Sequence, residues 1–254
     1  MASQNIYDDE KFFNNYAQLP RSKNGFDSFF EWPYLKKLLP NMNGINALDL
    51  GCGYGWFCRE SFKLGVDSIL GIDLSNKMIT KAKELDNDFG NKEGLLYNEK
   101  IKYEIQDLES LQLKKESYDL AFSIFVFHYI VDLESMLKQV HQSLKPGGTL
   151  LFTIEHPIYS CPKVYTDFID LNEKKTWPVS DYSIEGERVS NWMAEGVIKQ
   201  HRTMGTYINQ LINCGFSIDH VNEWAPSKDQ IEQFDFLKIE IERPMILIIK
   251  ASKK

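Results

Sequence analysis

The sequence predicts an α/β fold, in which a doubly wound sheet of mainly parallel strands is covered by helices on both faces. Three stretches carry this prediction. Residues 47–50 form a short apolar run that stops at alternating glycines, residues 68–73 form an apolar run that ends in an acidic residue, and residues 118–129 are almost continuously apolar. Such runs are typical of strands buried on both faces of a parallel sheet. Helix-like stretches between them supply the crossovers that parallel strands need.

The composition indicates a single domain over residues 1–254, because 43% of the residues are hydrophobic, enough for a substantial core. No apolar run approaches the roughly 18 residues of a membrane span, and the polar start of the chain does not resemble a signal peptide. The net charge of −7, without a basic stripe, disfavours a nucleic-acid surface. We therefore expect a cytoplasmic protein that contacts neither membrane nor nucleic acid.

Two helices are expected before the first strand. Residues 5–19 place apolar side chains on roughly one face of a short helix, which the segment 20–25 then breaks. A second helix is expected over residues 26–39, ending before Pro40.

The glycines at 51, 53 and 55 follow the first strand directly and predict a tight turn where the backbone approaches a ligand closely. A dinucleotide-binding turn has the spacing Gly-x-Gly-x-x-Gly, and its third glycine lets helix and strand pack closely. Trp56 occupies that position. The sequence therefore disfavours a nicotinamide cofactor, and an NAD(P)-dependent oxidoreductase stays as the weaker alternative.

The stretch 49–55, Asp-Leu-Gly-Cys-Gly-Tyr-Gly, resembles the first motif of the class I S-adenosylmethionine (SAM)-dependent methyltransferases. The resemblance is strong over residues 45–155 and moderate over 204–250. It implies a Rossmann-like, seven-stranded sheet whose last strand is antiparallel, with SAM as cofactor and S-adenosyl-L-homocysteine (SAH) as product. It also implies that Asp49 belongs to the cofactor site together with the glycines that follow it.

Two crossover helices are expected after the glycine turn, over residues 56–64 and 76–86, and Ser75 is the expected N-cap of the second. A polar loop at 87–100 and a third strand at 101–105 follow.

Two acidic residues are expected to bind the adenosine part of the cofactor. Asp73 ends the second strand 22 residues after Gly51, where a carboxylate can accept hydrogen bonds from both ribose hydroxyls. By the resemblance, Asp107 lies near the adenine amino group; a plain loop carboxylate is the alternative. The resemblance places six further cofactor contacts in the same segments: Cys52, Leu74, Met78, Leu108, Ser123 and Phe125.

The N-terminal helices, within residues 1–40, are expected to form a lid over the cofactor cleft, as in the family. Tyr16 and Arg21 would then close the site, with Arg21 matching a carboxylate of the cofactor in a bidentate pair. A surface arginine that follows a helix is the equally weighted alternative.

The second half of the core has the expected order of a central strand at 118–129, a helix at 133–144, the turn Lys-Pro-Gly-Gly at 145–148 and a strand at 149–155. The motif Asn-Pro-Pro-Tyr of one family branch is missing from the end of the central strand. Methylation of adenine N6 or of glutamine is therefore disfavoured.

Residues 156–203 are expected to form a substrate cap with two strand-like stretches, at 181–192 and 196–202. A helix and two strands should then complete the sheet, over residues 203–214, 216–224 and 244–250.

Candidate catalytic side chains are sparse. The four cysteines and five histidines show no metal-ligand spacing, so no metal is expected. His128 follows the central strand and has the usual pKa of a general base, although packing beside Tyr129 with a hydrogen bond to the backbone is the favoured alternative. His201 is a rival base, with Arg202 orienting an anionic acceptor. Tyr129 and His156 are further candidate acceptor contacts.

Together these features predict a SAM-dependent methyltransferase that acts on an unidentified small molecule through an oxygen, nitrogen or carbon nucleophile. The order of Glu155-His156-Pro157, the cap, His201-Arg202-Thr203 and Arg243-Pro244-Met245 is similar to bacterial methyltransferases of unassigned substrate. A SAM-binding protein without transferase activity, or another SAM-using transferase, is the alternative.

Overall fold

The computed structural model describes residues 3–164 and 166–254. The strands of these residues are β1 (Asn46–Leu50), β2 (Ser68–Asp73), β3 (Ile101–Ile105), β4 (Tyr118–Ile124), β5 (Leu144–Glu155), β6 (Ile169–Leu171), β7 (Lys174–Thr176), β8 (Gly186–Ser190), β9 (Val197–His201), β10 (Phe216–Trp224) and β11 (Ile246–Lys253). The α-helices are α1 (Glu10–Tyr16), α2 (Pro20–Asn24), α3 (Trp32–Leu38), α4 (Trp56–Lys63), α5 (Asn76–Glu93), α6 (Leu133–Ser143), α7 (Pro157–Ser160), α8 (Met204–Asn213) and α9 (Lys228–Gln233).

Seven strands form one sheet in the order β10-β11-β5-β4-β1-β2-β3. Neighbouring strands from β3 to β5 are parallel, whereas β11 is antiparallel to both β5 and β10. This confirms the predicted sheet, including its antiparallel last strand. Because β1 to β5 run in the same direction, their carboxyl ends meet at one edge, where ligands of doubly wound sheets bind.

Apolar side chains cover both faces of the sheet, as the continuous apolar runs predicted. One core joins the strands to α6 and α8 through residues such as Leu137 and Leu211. The other joins them to α3 and α4, and there the Phe57 ring stacks on the Phe122 ring with centroids 3.6 Å apart. Because both faces of the sheet are covered, we expect the site at the edge where the carboxyl ends of the strands meet.

The N-terminal helices differ from the prediction. Pro20 begins α2 instead of breaking a helix, because proline is tolerated in the first helical turn, where its missing N–H would have no partner. The helix expected over 26–39 is a 3-10 turn at Gly25–Ser28 followed by the shorter α3.

Helix α5 is longer than predicted and takes up the first part of the expected loop at 87–100. Asp86 and Gly90 continue its buried face beyond Ala82, and neither is apolar, so the hydrophobic period did not reveal them. Ser75 is its N-cap, as predicted, because its side chain accepts a hydrogen bond from the Met78 N–H. Gly94 ends the helix with a φ of +69°.

Strand β4 stops at Ile124, five residues earlier than the apolar run suggested, because Phe125 has a φ of +58° and turns the chain into the 3-10 helix Phe127–Tyr129. The segment 145–148, which was expected to be a turn before the strand, lies within β5. It coincides with the place where the pairing of β5 with β4 shifts register. Helix α9 and a 3-10 helix at Asp235–Ile241 occupy the expected loop between the last two strands.

The cap contains two hairpins outside the main sheet, β6–β7 and β8–β9. Helix α8 has Thr203 as its N-cap, whose side chain accepts from the Thr206 N–H. None of the helices in the described ranges has the length and hydrophobicity needed to cross a bilayer.

Candidate active site

The glycine turn after β1 is held by hydrogen bonds from its backbone. The N–H groups of Gly51 and Cys52 donate to the Ile72 carbonyl at 2.8 and 2.9 Å, and the Gly53 N–H donates to the Asp73 carboxylate at 2.9 Å. The turn is thus fastened to the end of the neighbouring strand β2. This contact brings the predicted ribose ligand next to the predicted cofactor turn.

The three positions of the turn require glycine for different physical reasons. All have a positive φ, between +51° and +73°. A Cβ at Gly51 would lie 2.3 Å from a Val126 methyl carbon, and one at Gly55 would lie 2.3 Å from the Tyr103 hydroxyl, so both are required by packing. At Gly53 the nearest atom is the Tyr16 hydroxyl at 4.0 Å. Gly53 is therefore the glycine whose open side faces the space for a ligand.

Asp73 lies at the carboxyl end of β2 with its side chain directed back over the turn. Its two carboxylate oxygens accept from the N–H groups of Gly53 and Ser75, each at 2.9 Å. Burial raises its pKa to about 6, although these hydrogen bonds and that of Leu74 act in the opposite direction. A carboxylate oxygen has two lone pairs, so Asp73 keeps acceptor capacity for a ligand hydroxyl.

Three residues that were expected to contact the cofactor have side chains that point into the core. Asp49 is buried beneath the turn, where its carboxylate accepts from the Cys58 thiol at 3.4 Å, and burial raises its pKa to about 7. The Cys52 side chain lies against Gly71 in the same layer. The Ser123 hydroxyl donates to the Leu50 carbonyl at 2.8 Å. These side chains support the turn from below, because their polar groups are already engaged inside the protein.

The first residues of the chain, 3–8, cross the groups predicted to hold adenosine, and we call this segment the strap. The Ser3 hydroxyl donates to Asp107 at 2.7 Å, and the Asn5 amide donates to the Leu74 carbonyl at 3.5 Å. The strap thus contacts Asp107 and Leu74, two of the residues predicted to bind the cofactor. Leu108, next in the chain, is buried.

Asp8 fastens the strap to the start of α5. Its carboxylate accepts from the Ser75 hydroxyl at 2.6 Å and from the Lys77 N–H at 3.0 Å. Burial acts to raise its pKa, but these hydrogen bonds outweigh it, and the pKa is lowered. A negative charge at a helix N-terminus is favourable, which adds to the attachment. Met78, in the same turn of α5, is buried beneath it.

Arg21 lies between two aromatic rings, those of Phe29 and Phe125. Its guanidinium carbon is 4.3 Å from the Phe29 ring centroid and 5.0 Å from that of Phe125, the residue with positive φ at the end of β4. Its Nη2 atom is 3.6 Å from the buried Glu31 carboxylate. Phe125 and Arg21 therefore meet where the central strand ends.

Five rings from three parts of the chain lie together beside the glycine turn, and we call this group the aromatic box. Tyr7 and Tyr129 have centroids 6.0 Å apart and hydroxyls 3.3 Å apart, and Trp192 of the cap lies 5.5 Å from Phe12 and 6.5 Å from Tyr16. The rings come from the strap and α1, from the turn after β4 and from the cap. Of these, the sequence had identified only Tyr16 and Tyr129 as site residues, because the others are distant in sequence.

Lys199 reaches from the cap hairpin into the box. Its ammonium pairs with the Glu155 carboxylate at 2.5 Å and lies 5.2 Å from the Trp192 centroid and 5.9 Å from that of Tyr129. Both charged side chains are at most 15% exposed. Sequence reasoning missed this lysine; its place on the alternating buried face of β9, between Val197 and His201, was the available sign.

His128 does not have the properties of a base at neutral pH. The Glu155 N–H donates to its Nδ1 at 3.3 Å, so the neutral ring carries its proton on Nε2. Burial lowers its pKa to about 4, with Lys199 and Arg202 adding to the effect and Glu155 opposing it. Its ring lies 4.6 Å from that of Tyr129. This is the geometry of the packing alternative.

His201 and Arg202 hold the cap to the core instead of lining the box. His201 Nε2 donates to the Tyr182 carbonyl at 2.8 Å and its Nδ1 lies 3.0 Å from the Ser160 hydroxyl, so neither nitrogen is available to an acceptor. Arg202 Nη2 donates to the carbonyls of Ile130 and Val131, at 2.6 and 2.8 Å. His201 as a base is therefore corrected to a structural residue, and Arg202 is a buried charge near the site.

His156 is also structural. Its Nδ1 accepts from the Ile158 N–H at 3.0 Å as the N-cap of α7, and its Nε2 then donates to Glu223 at 2.9 Å. Both nitrogens are committed, which corrects the expected acceptor contact.

Tyr54, between two glycines of the turn, has a buried hydroxyl without a hydrogen-bond partner among the described residues. Burial, with the nearby Tyr16, raises its pKa to about 12. An unsatisfied buried hydroxyl costs about 1–3 kcal/mol, which a polar ligand on the turn would offset. This hydroxyl, the open side of Gly53 and the Asp73 carboxylate fit a nucleoside ligand such as SAM.

Residues 48–152 match the protein family described as "Methyltransferase domain". The crystal structure of an S-adenosylmethionine-dependent methyltransferase from Mesorhizobium loti is 42% identical, with a TM-score of 0.82 over 90% of this chain and 100% of that chain. An uncharacterised protein of Haemophilus influenzae is 33% identical over 98% of this chain and 96% of its own length. These likenesses are to methyltransferases and not to oxidoreductases, so the oxidoreductase alternative is dropped. The chain belongs to the SAM-dependent methyltransferases and is an enzyme with SAM as its cofactor.

Proposed function

We propose that this enzyme transfers the methyl group of SAM to a small molecule that binds in the aromatic box. The observation that carries the proposal is the position of the box, since its Tyr16 hydroxyl is the nearest neighbour of the open side of Gly53. Rings from the strap, α1, the turn after β4 and the cap meet at this place. Sites for small molecules are typically lined by aromatic side chains with a few polar groups, which favours a small acceptor over a macromolecule.

The cofactor contacts are part of the same proposal. Asp73 accepts the ribose hydroxyls, Asp107 accepts the adenine amino group and Arg21 pairs with the carboxylate. Because Ser3 donates to Asp107 at 2.7 Å, the strap lies against the residue that adenine would contact. The strap would thus open for the cofactor and close again over it.

When bound, SAM supplies a methyl carbon activated by a positively charged sulfur. The chain contributes orientation and exclusion of water. Aligning two reactants in this way can lower a barrier by about 7–11 kcal/mol. The aromatic rings of the box provide the walls for that alignment, and the Tyr7 and Tyr129 hydroxyls provide polar contacts within it.

A pair of tryptophan variants tests this proposal. Trp192→Ala removes one wall of the box, whereas Trp177→Ala removes a ring of the same cap that packs on Arg243 instead. With methyl-labelled SAM and a bacterial metabolite extract, we expect Trp192→Ala to lower label transfer roughly 10- to 100-fold. SAH affinity in calorimetry should stay near that of the wild type. Equal label transfer by both variants would place the acceptor elsewhere.

A further inference from the structure

Arg21 and Glu31 form a charged pair near the edge of the sheet where the carboxyl ends of the strands meet. The guanidinium carbon of Arg21 is 5.0 Å from the ring centroid of Phe125, which follows β4. Burial raises the pKa of the Tyr16 phenol, and the Arg21 charge opposes this rise, so these two side chains are also neighbours. The Tyr16 hydroxyl is in turn the nearest atom to the open side of Gly53. The pair therefore lies beside the part of the glycine turn that faces the space for a ligand.

This pair is looser than a comparable buried pair elsewhere in the chain. Arg59 donates to Asp86 at 2.8 Å, and both side chains are at most 9% exposed. Arg21 Nη2 and Glu31 Oε1 are 3.6 Å apart, which is too far for a hydrogen bond. Glu31 is 1% exposed, and its Oε1 has no hydrogen-bond partner among the described residues. Because buried charged groups are normally hydrogen-bonded, this oxygen is suited to a donor on a ligand.

The cofactor carries a matching pair of charges. SAM and SAH both end in an amino acid group, whose carboxylate is ionised and whose amino group is protonated near neutral pH. When this carboxylate pairs with Arg21, Glu31 has to share its cation with a second anion. Burial already raises the pKa of Glu31, and the Arg21 charge acts in the opposite direction. A buried carboxylate without a paired cation is strongly unfavourable, and the ammonium group of the same ligand supplies that cation.

We propose that Glu31 binds the ammonium group at the amino acid end of SAM, while Arg21 binds the carboxylate; this rests on the cofactor contacts proposed above. The two side chains then recognise the zwitterion as a unit, and the zwitterion adds no net charge to the pair. The planar guanidinium fixes the orientation of the carboxylate as well as its position. Glu31 thereby selects ligands that have a free α-amino group.

The first test varies the ligand. Calorimetry compares the affinity of the wild type for SAH, for SAH without its α-amino group and for SAH without its carboxyl group. We expect each truncated ligand to bind at least about tenfold more weakly, because each loses a charge-assisted hydrogen bond. Wild-type binding of the ligand without the amino group that is as tight as that of SAH would overturn the role of Glu31. The same result for the ligand without the carboxyl group would overturn the earlier assignment of Arg21 instead.

The second test isolates Glu31. Glu31→Gln keeps the shape of the side chain and removes its charge, so SAH and the ligand without the amino group should bind within about threefold of each other. Glu240→Gln is the matched control, since Glu240 is also a buried glutamate paired with an arginine, and it should keep the wild-type preference for the amino group. An undiminished preference in Glu31→Gln would overturn the proposal. The first test needs no variant and decides the matter if Glu31→Gln does not fold. Neither test involves an acceptor, so the tryptophan variants test the proposed methyl transfer separately.

Discussion

At the scale of single residues, the buried acids beneath the glycine turn make the apo enzyme sensitive to pH. Asp49 has a folded pKa of about 7, raised by burial, against an ordinary value of 3.8. The folded protein therefore holds a proton that the unfolded chain loses between about pH 4 and 7. Because the unfolded chain binds fewer protons in this window, the free energy of unfolding falls as pH rises through it.

Asp49→Asn removes this titration and should stabilise the protein at high pH. Each pKa unit corresponds to about 1.4 kcal/mol, and about two units of the shift lie between pH 5 and pH 8, so the difference from wild type should grow by about 3 kcal/mol over this range. Urea denaturation at the two pH values measures it, with Asp67→Asn as a control on the exposed side of the turn before β2. A stability difference that is the same at both pH values would show that Asp49 is not the titrating group.

At the scale of elements, two glycines of the turn after β1 have different roles, since Gly51 is required by packing and Gly53 faces the space for a ligand. A Cβ at Gly51 meets Val126 at 2.3 Å, whereas one at Gly53 meets nothing closer than the Tyr16 hydroxyl at 4.0 Å. Both alanine variants carry backbone strain of about 1–2 kcal/mol, because φ is positive at both positions. Gly51→Ala adds overpacking of about 1–3 kcal/mol.

We therefore expect stability and SAH affinity to rank the two variants in opposite order. Gly51→Ala should be the less stable in denaturation, and Gly53→Ala should lose more SAH affinity in calorimetry, because its methyl group enters the space for the ligand. Wild-type SAH affinity in Gly53→Ala would contradict the assignment of this glycine to the ligand face.

Local features of the sequence predicted some of these elements correctly and did not predict the contacts between distant residues. Strand β10 was predicted to the residue, and the glycine turn and Asp73 were placed correctly, because short apolar runs and glycine spacing are local features. A lid over residues 1–40 was expected, but the contacts of the strap were not predicted, because they join residues distant in the chain: Ser3 and Asp107 are 104 positions apart. Lys199 was missed for the same reason, since its partner Glu155 lies 44 residues away. Local patterns do not encode such pairs.

At the scale of the whole molecule, hydrogen bonds join the strap and α1 to the cap. The Gln4 side chain donates to the Gly196 carbonyl at 2.8 Å and accepts from the Ile198 N–H at 2.9 Å, and Asn15 donates to the Met193 carbonyl at 2.8 Å. The strap also holds Asp107 and the start of α5. Opening of the cofactor cleft should therefore loosen the cap as well.

Limited proteolysis can detect this coupling. We expect SAH to slow cleavage of both the strap and the β8–β9 hairpin, because a ligand that orders the closed state protects the segments that open locally. Gln4→Ala should speed cleavage at both places without ligand, whereas the exposed control Gln112→Ala should not. Faster cleavage of the strap alone would show that the cap is fixed independently.

We propose that the cofactor binds across the carboxyl ends of β1 to β4 with its reactive end toward the aromatic box. A crystal structure of the SAH complex tests it most directly. We expect both ribose hydroxyls within hydrogen-bonding distance of the Asp73 carboxylate, the adenine amino group at Asp107, and the sulfur atom facing the space between Tyr16, Tyr129 and Trp192. A sulfur atom that faces away from these rings, with the ribose remote from Asp73, would contradict the account.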